Sequence, residues 1–337
     1  MNNPSAVLRG IRDVAIEDRP VPVPEPHQVV VAVKATGICG SDVHYYEHGR
    51  IGDFIVDAPM VIGHESAGVI TEVGSAVDPE RIGQTVALEP GIPCRRCEQC
   101  LQGRYNLCAD VVFFATPPVD GSIAGFVAID ADFAHPAPAG LSFEQAAMAE
   151  PVSVGLWAAW KARITAGDRV LVTGAGPIGL FAAQVARALG AAEVTITDLS
   201  DYRLSVARGM GFTVAGPDDA VGSSYAVLLE CSGSAAALDS GLRALAPAGR
   251  AVLVGMGADS VSISVPLVQN RELTISGIFR YANTYPTALR LISGGAVATE
   301  PVITHRFDLE DTEAALTLAR REQQSLKAVV VPGGSNG

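Results

Sequence analysis

Between about residues 150 and 280 strand-like and helix-like segments alternate, and this rhythm limits the fold more than any other feature. Arg169–Thr173 (RVLVT), Glu193–Thr197 (EVTIT), Tyr225–Glu230 and Arg250–Val254 read as strands, with Glu272–Gly277 a further candidate. Pro177–Leu189, Tyr202–Met210 and Ala235–Leu245 read as helices. Alternating units of this length predict a parallel sheet with helices on both faces. The rhythm stops near Tyr281, where a helix over Tyr285–Ile292 begins a different tail. One stretch breaks the pattern. Between Phe212 and Tyr225 only TVAGPDDAVGSS is available, too short and too rich in Gly, Pro and Asp for a full helix. Irregular winding is expected at that edge of the sheet.

Gly174, Gly176 and Gly179 form G-x-G-x-x-G in VTGAGPIG, between the first strand of this region and its first helix. Asp198 ends the next strand, 19 positions after Gly179. In that context the glycines allow a tight turn and bring a pyrophosphate to the N-terminus of the helix that Pro177 opens. Asp198 would accept from the adenosine ribose hydroxyls and repel a 2′-phosphate, which favours NAD over NADP. Arg203 is expected to pair with Asp198 or to cover the adenine. The bland alternative is a glycine-rich helix–strand contact without ligand, which the full strand–turn–helix context opposes.

The first 150 residues have another texture, rich in β-branched residues, Gly and Pro. Val29–Val33 and Ser66–Val73 read as strands, and Pro20, Pro22, Pro24 and Pro26 mark an extended connector. Cys94, Cys97, Cys100 and Cys108 follow the spacing C-x2-C-x2-C-x7-C. Thiolates this close can converge on one tetrahedral ion, and four sulfurs closing the shell describe a structural zinc. The ferredoxin run that would hold an iron–sulfur cluster needs three residues before its last cysteine and a proline after it. Here the spacer is seven and Ala109 follows. Cys39 in GICGSDVHYY, His64 and Glu65 in MVIGHESAG, and Glu150 in MAEPVSVG supply one thiolate, one imidazole and two carboxylates, a donor set suited to zinc with a position left open. Singly these residues are weak signals. His27, His48, His135 and His305 are read as ordinary core or surface histidines.

The chain of 337 residues is long enough for about two domains. Its 24 basic and 36 acidic side chains leave a net charge of −12, which argues against a nucleic-acid or anionic-membrane binder. Hydrophobic residues make up 48% and charged ones 18%, which excludes a disordered polyelectrolyte. No run approaches about 18 apolar residues, so no membrane span is expected. MNNPSAVLRGIRDV lacks the apolar core of a secretory signal. Clustered cysteines without such a signal suggest a reducing cytoplasm.

Taken together, GICGSDVHYY, GHE, the four-cysteine lobe, AEPVSVG and GAGPIG resemble the zinc-dependent medium-chain dehydrogenases. The closer likeness is to the polyol branch, the sorbitol and xylitol dehydrogenases, through FFATPPVDG at 113–121, GIFRYANTYP at 277–286 and ITHRF at 303–307. The resemblance covers nearly the whole chain. It implies a mixed α/β and β architecture: a GroES-like catalytic domain over 1–151 and 280–337, with an inserted Rossmann domain, a doubly wound parallel sheet, over 152–279. It implies two zinc ions, one catalytic at Cys39, His64, Glu65 and Glu150, one structural at Cys94, Cys97, Cys100 and Cys108. Glu150 stands where alcohol dehydrogenases have a second cysteine, and either binds zinc or holds the water beside it. Ser41 and His44 match a proton relay. Tyr45, Phe113, Thr116, Glu150, Arg280 and Tyr281 match substrate positions. Gly174, Gly176, Pro177, Ile178, Gly179, Asp198, Arg203, Val254, Gly255, Met256, Ile278, Phe279 and Arg280 match cofactor positions.

The implied activity is NAD-dependent oxidation of a polyol at C2 to a ketose, sorbitol to fructose or xylitol to xylulose. Threonine or a simple secondary alcohol is the rival substrate on the same scaffold. A zinc-free NADPH reductase is opposed by Asp198 and by Cys39 with His64. A non-catalytic binding protein is opposed by an intact Cys39, His64, Glu65 and Glu150. Relatives imply a homo-oligomer, commonly a tetramer, with a small-molecule substrate and neither a nucleic-acid nor a membrane partner.

Overall fold

The structure is a computed structural model that describes residues 2–216, 219 and 224–333. The chain divides into two compact units. The first consists of Met1–Glu150, Tyr285–Ser293 and Ile303–Gly337, the second of Pro151–Thr284 and Gly294–Val302. Specific hydrogen bonds explain this interleaving. Tyr285 Oη donates to Leu88 O at 2.7 Å, fixing the Tyr285–Ser293 helix to the first unit. Gln184 exchanges two bonds with the Ala298 backbone, at 3.1 and 2.7 Å, which holds Gly294–Val302 in the second.

The first unit is built on a seven-stranded sheet. Ala134–Pro136, Thr85–Leu88, Glu65–Val73, Gln28–Gly37, Lys327–Val331 and Ile303–Asp308 follow one another, and Phe126–Asp130 also pairs with Gln28–Gly37. Its pairs are antiparallel except the last, Ile303–Asp308 with Lys327–Val331. Val29, Val31 and Val33 alternate inward with Ile70, Val86 and Leu88, the period-two pattern of a strand with one face buried. The central strand Gln28–Gly37 extends further than the Val29–Val33 run suggests, because it is paired along most of its length.

The second unit holds a six-stranded sheet in which every pair is parallel. Its spatial order is Thr213–Ala215, Glu193–Thr197, Arg169–Thr173, Tyr225–Glu230, Leu245–Leu253, Thr274–Gly277. Numbered by sequence within the unit this is 3-2-1-4-5-6, the doubly wound order of a Rossmann fold. The helix Pro177–Ala188 buries Leu180, Phe181, Ala182, Ala183 and Val185, starts on a proline that needs no partner for its missing N–H, and is preceded by Gly176. At the short edge a three-residue strand, Thr213–Ala215, runs parallel to Glu193–Thr197. A strand needs few residues when its neighbour supplies the ladder. Most of the connection that follows lies outside the described residues.

Candidate active site

Cys39, His64 and Glu65 come together with one ligand atom each, all within 4.8 Å of one another. Each arrives by a local device. Cys39 precedes the helix Gly40–His48, and its N–H donates to Asp42 Oδ2 at 2.9 Å. Asp42 Oδ1 accepts from Gly63 N at 3.0 Å, tying that helix to the turn before Glu65–Val73. Neighbouring residues in a regular strand face opposite ways. His64 lies before the strand and after Gly63 at φ 87°, and this break lets it share a cluster with Glu65.

Glu65 opens its strand opposite Gly37, whose other neighbour across the sheet is Val329. A Cβ on Gly37 would collide with Glu65 Oε2, so glycine lets the carboxylate cross the strand. On the far side Lys327, two residues from Val329 and on the same face, meets it. Its ammonium donates to Glu65 Oε1 at 2.7 Å, Oε2 at 2.8 Å and Ile38 O at 2.9 Å. Burial would lower the Lys327 pKa, but the charge of Glu65, joined by Cys39 and Glu150, raises it above its ordinary value. His64 is similar. Burial opposes its protonation, yet Asp42 and Cys39 hold its pKa well above the usual imidazole range. Its Nδ1 is buried without a hydrogen-bond partner, 3.6 Å from Asp42 Oδ1. A buried pocket of anions around an imidazole is the electrostatic setting for a cation, and thiolate, imidazole and carboxylate are zinc donors. The residues present therefore fit the metal. Glu150, also buried, is not among the three whose ligand atoms converge.

The four cysteines form a second group on the same criterion, with Sγ of Cys97 and Cys100 3.4 Å apart. Backbone N–H groups of Cys94 and Cys97 point at Sγ of Cys108 and Cys94, both at 3.4 Å. Hydrogen bonds from the Arg96 and Cys97 backbone bring the Cys94 thiol down to about 6, while burial and Cys97 push Cys100 up to about 12. Thiols this close do not all ionise on their own, and a central cation removes the conflict. This is a structural-zinc-like cluster.

Ser41 is half-buried and His44 exposed, one helical turn apart on Gly40–His48, and Tyr45 beside them is buried. The Phe113 ring lies 5.9 Å from that of His64, and Thr116 N donates to Phe113 O at 3.1 Å. In the second unit Gly174 has φ 91° and a Cβ on Gly179 would strike Gly174 O, the close packing the fingerprint anticipates. Asp198 is held at the end of its strand by backbone donors. Its two oxygens accept from Ala175 N at 2.7 Å and Ser200 N at 2.8 Å, which fastens the second strand's end to the glycine turn. The Arg203 guanidinium comes near Gly176 of the glycine turn, where a Cβ would lie 3.8 Å from its Nη1. Ile178, Val254 and Gly255 are partly buried, Ile278 likewise, and Met256 and Phe279 present exposed apolar surface. Arg280 stacks on the Phe279 ring at 4.8 Å, and Tyr281 is buried. The histidines set aside in the sequence sit in structural pairs: His27 with Asp130, His48 with Glu47, His135 with Glu89 and His305 with Glu322.

Two residues of the site are absent from the sequence reading: Asp42 and Lys327. Asp42 had a local signal, an acid three positions after a helix-capping residue. Lys327 had only a charge opening an apolar run.

Comparison with known proteins agrees with this geometry. Residues 25–139 match the alcohol dehydrogenase GroES-like domain, and residues 177–294 the zinc-binding dehydrogenase domain. Sorbitol dehydrogenase of Mus musculus is 41% identical over 332 residues, covering 95% of this chain and 93% of its own. A probable D-xylulose reductase A of Aspergillus fumigatus is 42% identical over 330 residues, 93% and 92% of the two chains. Among solved structures, a short chain alcohol dehydrogenase of Escherichia coli complexed with NADH superposes with a TM-score of 0.91 at 28% identity, covering 98% of this chain and 99% of that one.

Proposed function

The chain belongs to the zinc-containing medium-chain alcohol dehydrogenase family, and we propose that within it this protein oxidises a polyol at C2 to the ketose with NAD, sorbitol to fructose or xylitol to xylulose. At the coarser level it is a polyol dehydrogenase-like oxidoreductase acting on CH–OH groups. The observation that carries the proposal is the convergence of Cys39, His64 and Glu65 in a buried anionic cluster, in a chain 41% identical to a sorbitol dehydrogenase.

Cys39, His64 and Glu65 would hold the catalytic zinc, with Glu150 completing the set directly or through water. Bound there, zinc supplies Lewis acidity that makes a substrate hydroxyl easier to deprotonate, and the nicotinamide supplies the hydride acceptor. The protein's residues do the rest. Ser41 accepts the hydroxyl proton as its own passes on to His44, which, exposed on the next turn, releases a proton to solvent. Tyr45, Phe113 and Thr116 shape the wall near His64, and Phe113 keeps water off it. Arg280 and Tyr281 donate to the distal hydroxyls, so an alcohol lacking them forgoes those bonds. Asp198 accepts from the adenosine ribose with lone pairs its backbone donors leave open, while Gly174, Gly176 and Gly179 admit the pyrophosphate.

The test is NADH formation by zinc-loaded protein with xylitol, sorbitol, other polyols, threonine and 2-butanol. Turnover on polyols alone is expected. Turnover on threonine or 2-butanol alone would overturn the assignment of Arg280 and Tyr281.

A further inference from the structure

The strand order of the parallel sheet reverses between Arg169–Thr173 and Tyr225–Glu230. Ligands of open α/β sheets bind at such a switch point, beyond the carboxyl ends of the strands. Glu230 closes the second of these strands, level with Thr173, and is buried at 3% exposure. Its carboxylate meets neutral donors. Oε1 accepts from Ser232 N at 2.9 Å, Gly233 N at 3.0 Å, Thr173 Oγ1 at 3.4 Å and the Ser232 hydroxyl, and Oε2 from Gly233 N at 3.2 Å. Its main-chain carbonyl accepts from Val254 N at 2.8 Å and Gly255 N at 2.9 Å. One residue thus fastens the ends of three strands.

The turn held by this carboxylate is packed tightly on both sides. A Cβ on Gly174 would come within 2.9 Å of Ser232 N. A Cβ on Gly233, at φ 70°, would collide with Met256 O, and one on Gly255 with Gly233 N. The 231–233 turn therefore sits between the glycine fingerprint and the Val254–Met256 segment, the two stretches assigned to the dinucleotide. A buried carboxylate surrounded by amide donors is a rigid anchor, since releasing any of them leaves a polar group without a partner.

We propose that Glu230 is a positioning residue for the cofactor: its carboxylate holds the 231–233 turn and so fixes the spacing between the fingerprint turn and Val254–Met256. This rests on the reading of the second unit as a dinucleotide site. Glu230→Gln keeps the shape but turns one acceptor into a donor facing N–H groups. The NADH dissociation constant, from fluorescence titration of the zinc-loaded protein, is expected to rise about tenfold. The kcat at saturating NAD and the zinc content are expected to stay within about twofold, because neither depends on where the turn sits once cofactor is bound. A merely structural role would instead lower melting temperature and kcat together and leave the dissociation constant unchanged, which would overturn the proposal. Should Glu230→Gln fail to fold, Ser232→Ala decides, since it retains the carboxylate and loses one donor. A rise of about threefold is expected there, and wild-type affinity would overturn the proposal. Absence of NADH binding by the unaltered protein would overturn the dinucleotide reading beneath it.

Discussion

Both oxygens of Glu65 face Lys327, and the pair is buried, at 0% and 4% side-chain exposure. Removing one member of such a pair leaves a charge without its partner, which costs about 3–5 kcal/mol. Lys327→Met is therefore expected to destabilise the zinc-free protein by about that amount in chemical denaturation, and Glu65→Gln in the same chain to recover part of the loss. An unchanged midpoint in Lys327→Met would mean that Glu65 finds another partner. Cys39 acts differently, as the only thiol of its trio. Cys39→Ser is expected to reduce bound zinc from two ions to one per chain and to abolish turnover, with NADH binding retained. Zinc analysis alongside activity checks this, and residual turnover would remove the assigned metal. At Asp198 two backbone donors fix the carboxylate proposed to meet the adenosine ribose. Asp198→Ala should relax the NAD preference over NADP by about tenfold or more in kcat/KM. If NADP stays excluded, another group makes the choice.

At the scale of elements, the four-cysteine lobe is a loop of small helical turns with little core of its own. Arg95 and Tyr105 tie it to the rest of the first unit. Arg95 donates to Asp130 Oδ2 at 2.9 Å, its guanidinium also lying 5.7 Å from the Phe133 ring, and Tyr105 Oη donates to Glu89 Oε1 at 2.6 Å. Cys100→Ser is expected to release only the lobe's zinc. Trypsin should then cleave at Arg95, Arg96 or Arg104 about tenfold faster, while the Cys39 cluster keeps its ion. The lobe itself was legible in the sequence, because its four ligands lie within 15 positions and their spacing is the signal. The strands Arg169–Thr173, Glu193–Thr197 and Tyr225–Glu230 were legible for a related reason, as short apolar runs bounded by turn residues. Lys327 was not, since its partner Glu65 lies 262 positions away and only the sheet register brings them together across Gly37. Glu230 looked like the polar end of a strand, and nothing local marked the neighbouring strands it would fasten. The Thr213–Ala215 edge strand was hidden because its pairing comes from Glu193–Thr197 rather than from its own three residues.

Across the whole molecule, chemistry is partitioned by unit. Every residue assigned to a metal lies in the first unit, and every residue assigned to the dinucleotide lies in the second. The partition reflects what each architecture offers. An antiparallel sheet with loops at its margins can gather side chains from distant positions, as it does for Cys39, His64, Glu65 and Lys327. A doubly wound sheet offers backbone turns and helix N-termini at its strand ends, which suit a phosphate-bearing cofactor. Losses caused by removing either ligand should therefore be separable. Protein stripped of zinc by a chelator is expected to lose turnover yet to bind NADH within about threefold of its original affinity. Saturation with NADH at about 100 times its dissociation constant should still stabilise the stripped protein by about 2.7 kcal/mol, read as a shift in the unfolding transition that reports the second unit. If chelation abolished NADH binding as well, the dinucleotide turns would depend on metal in the other unit, and the partition would hold for residues but not for function.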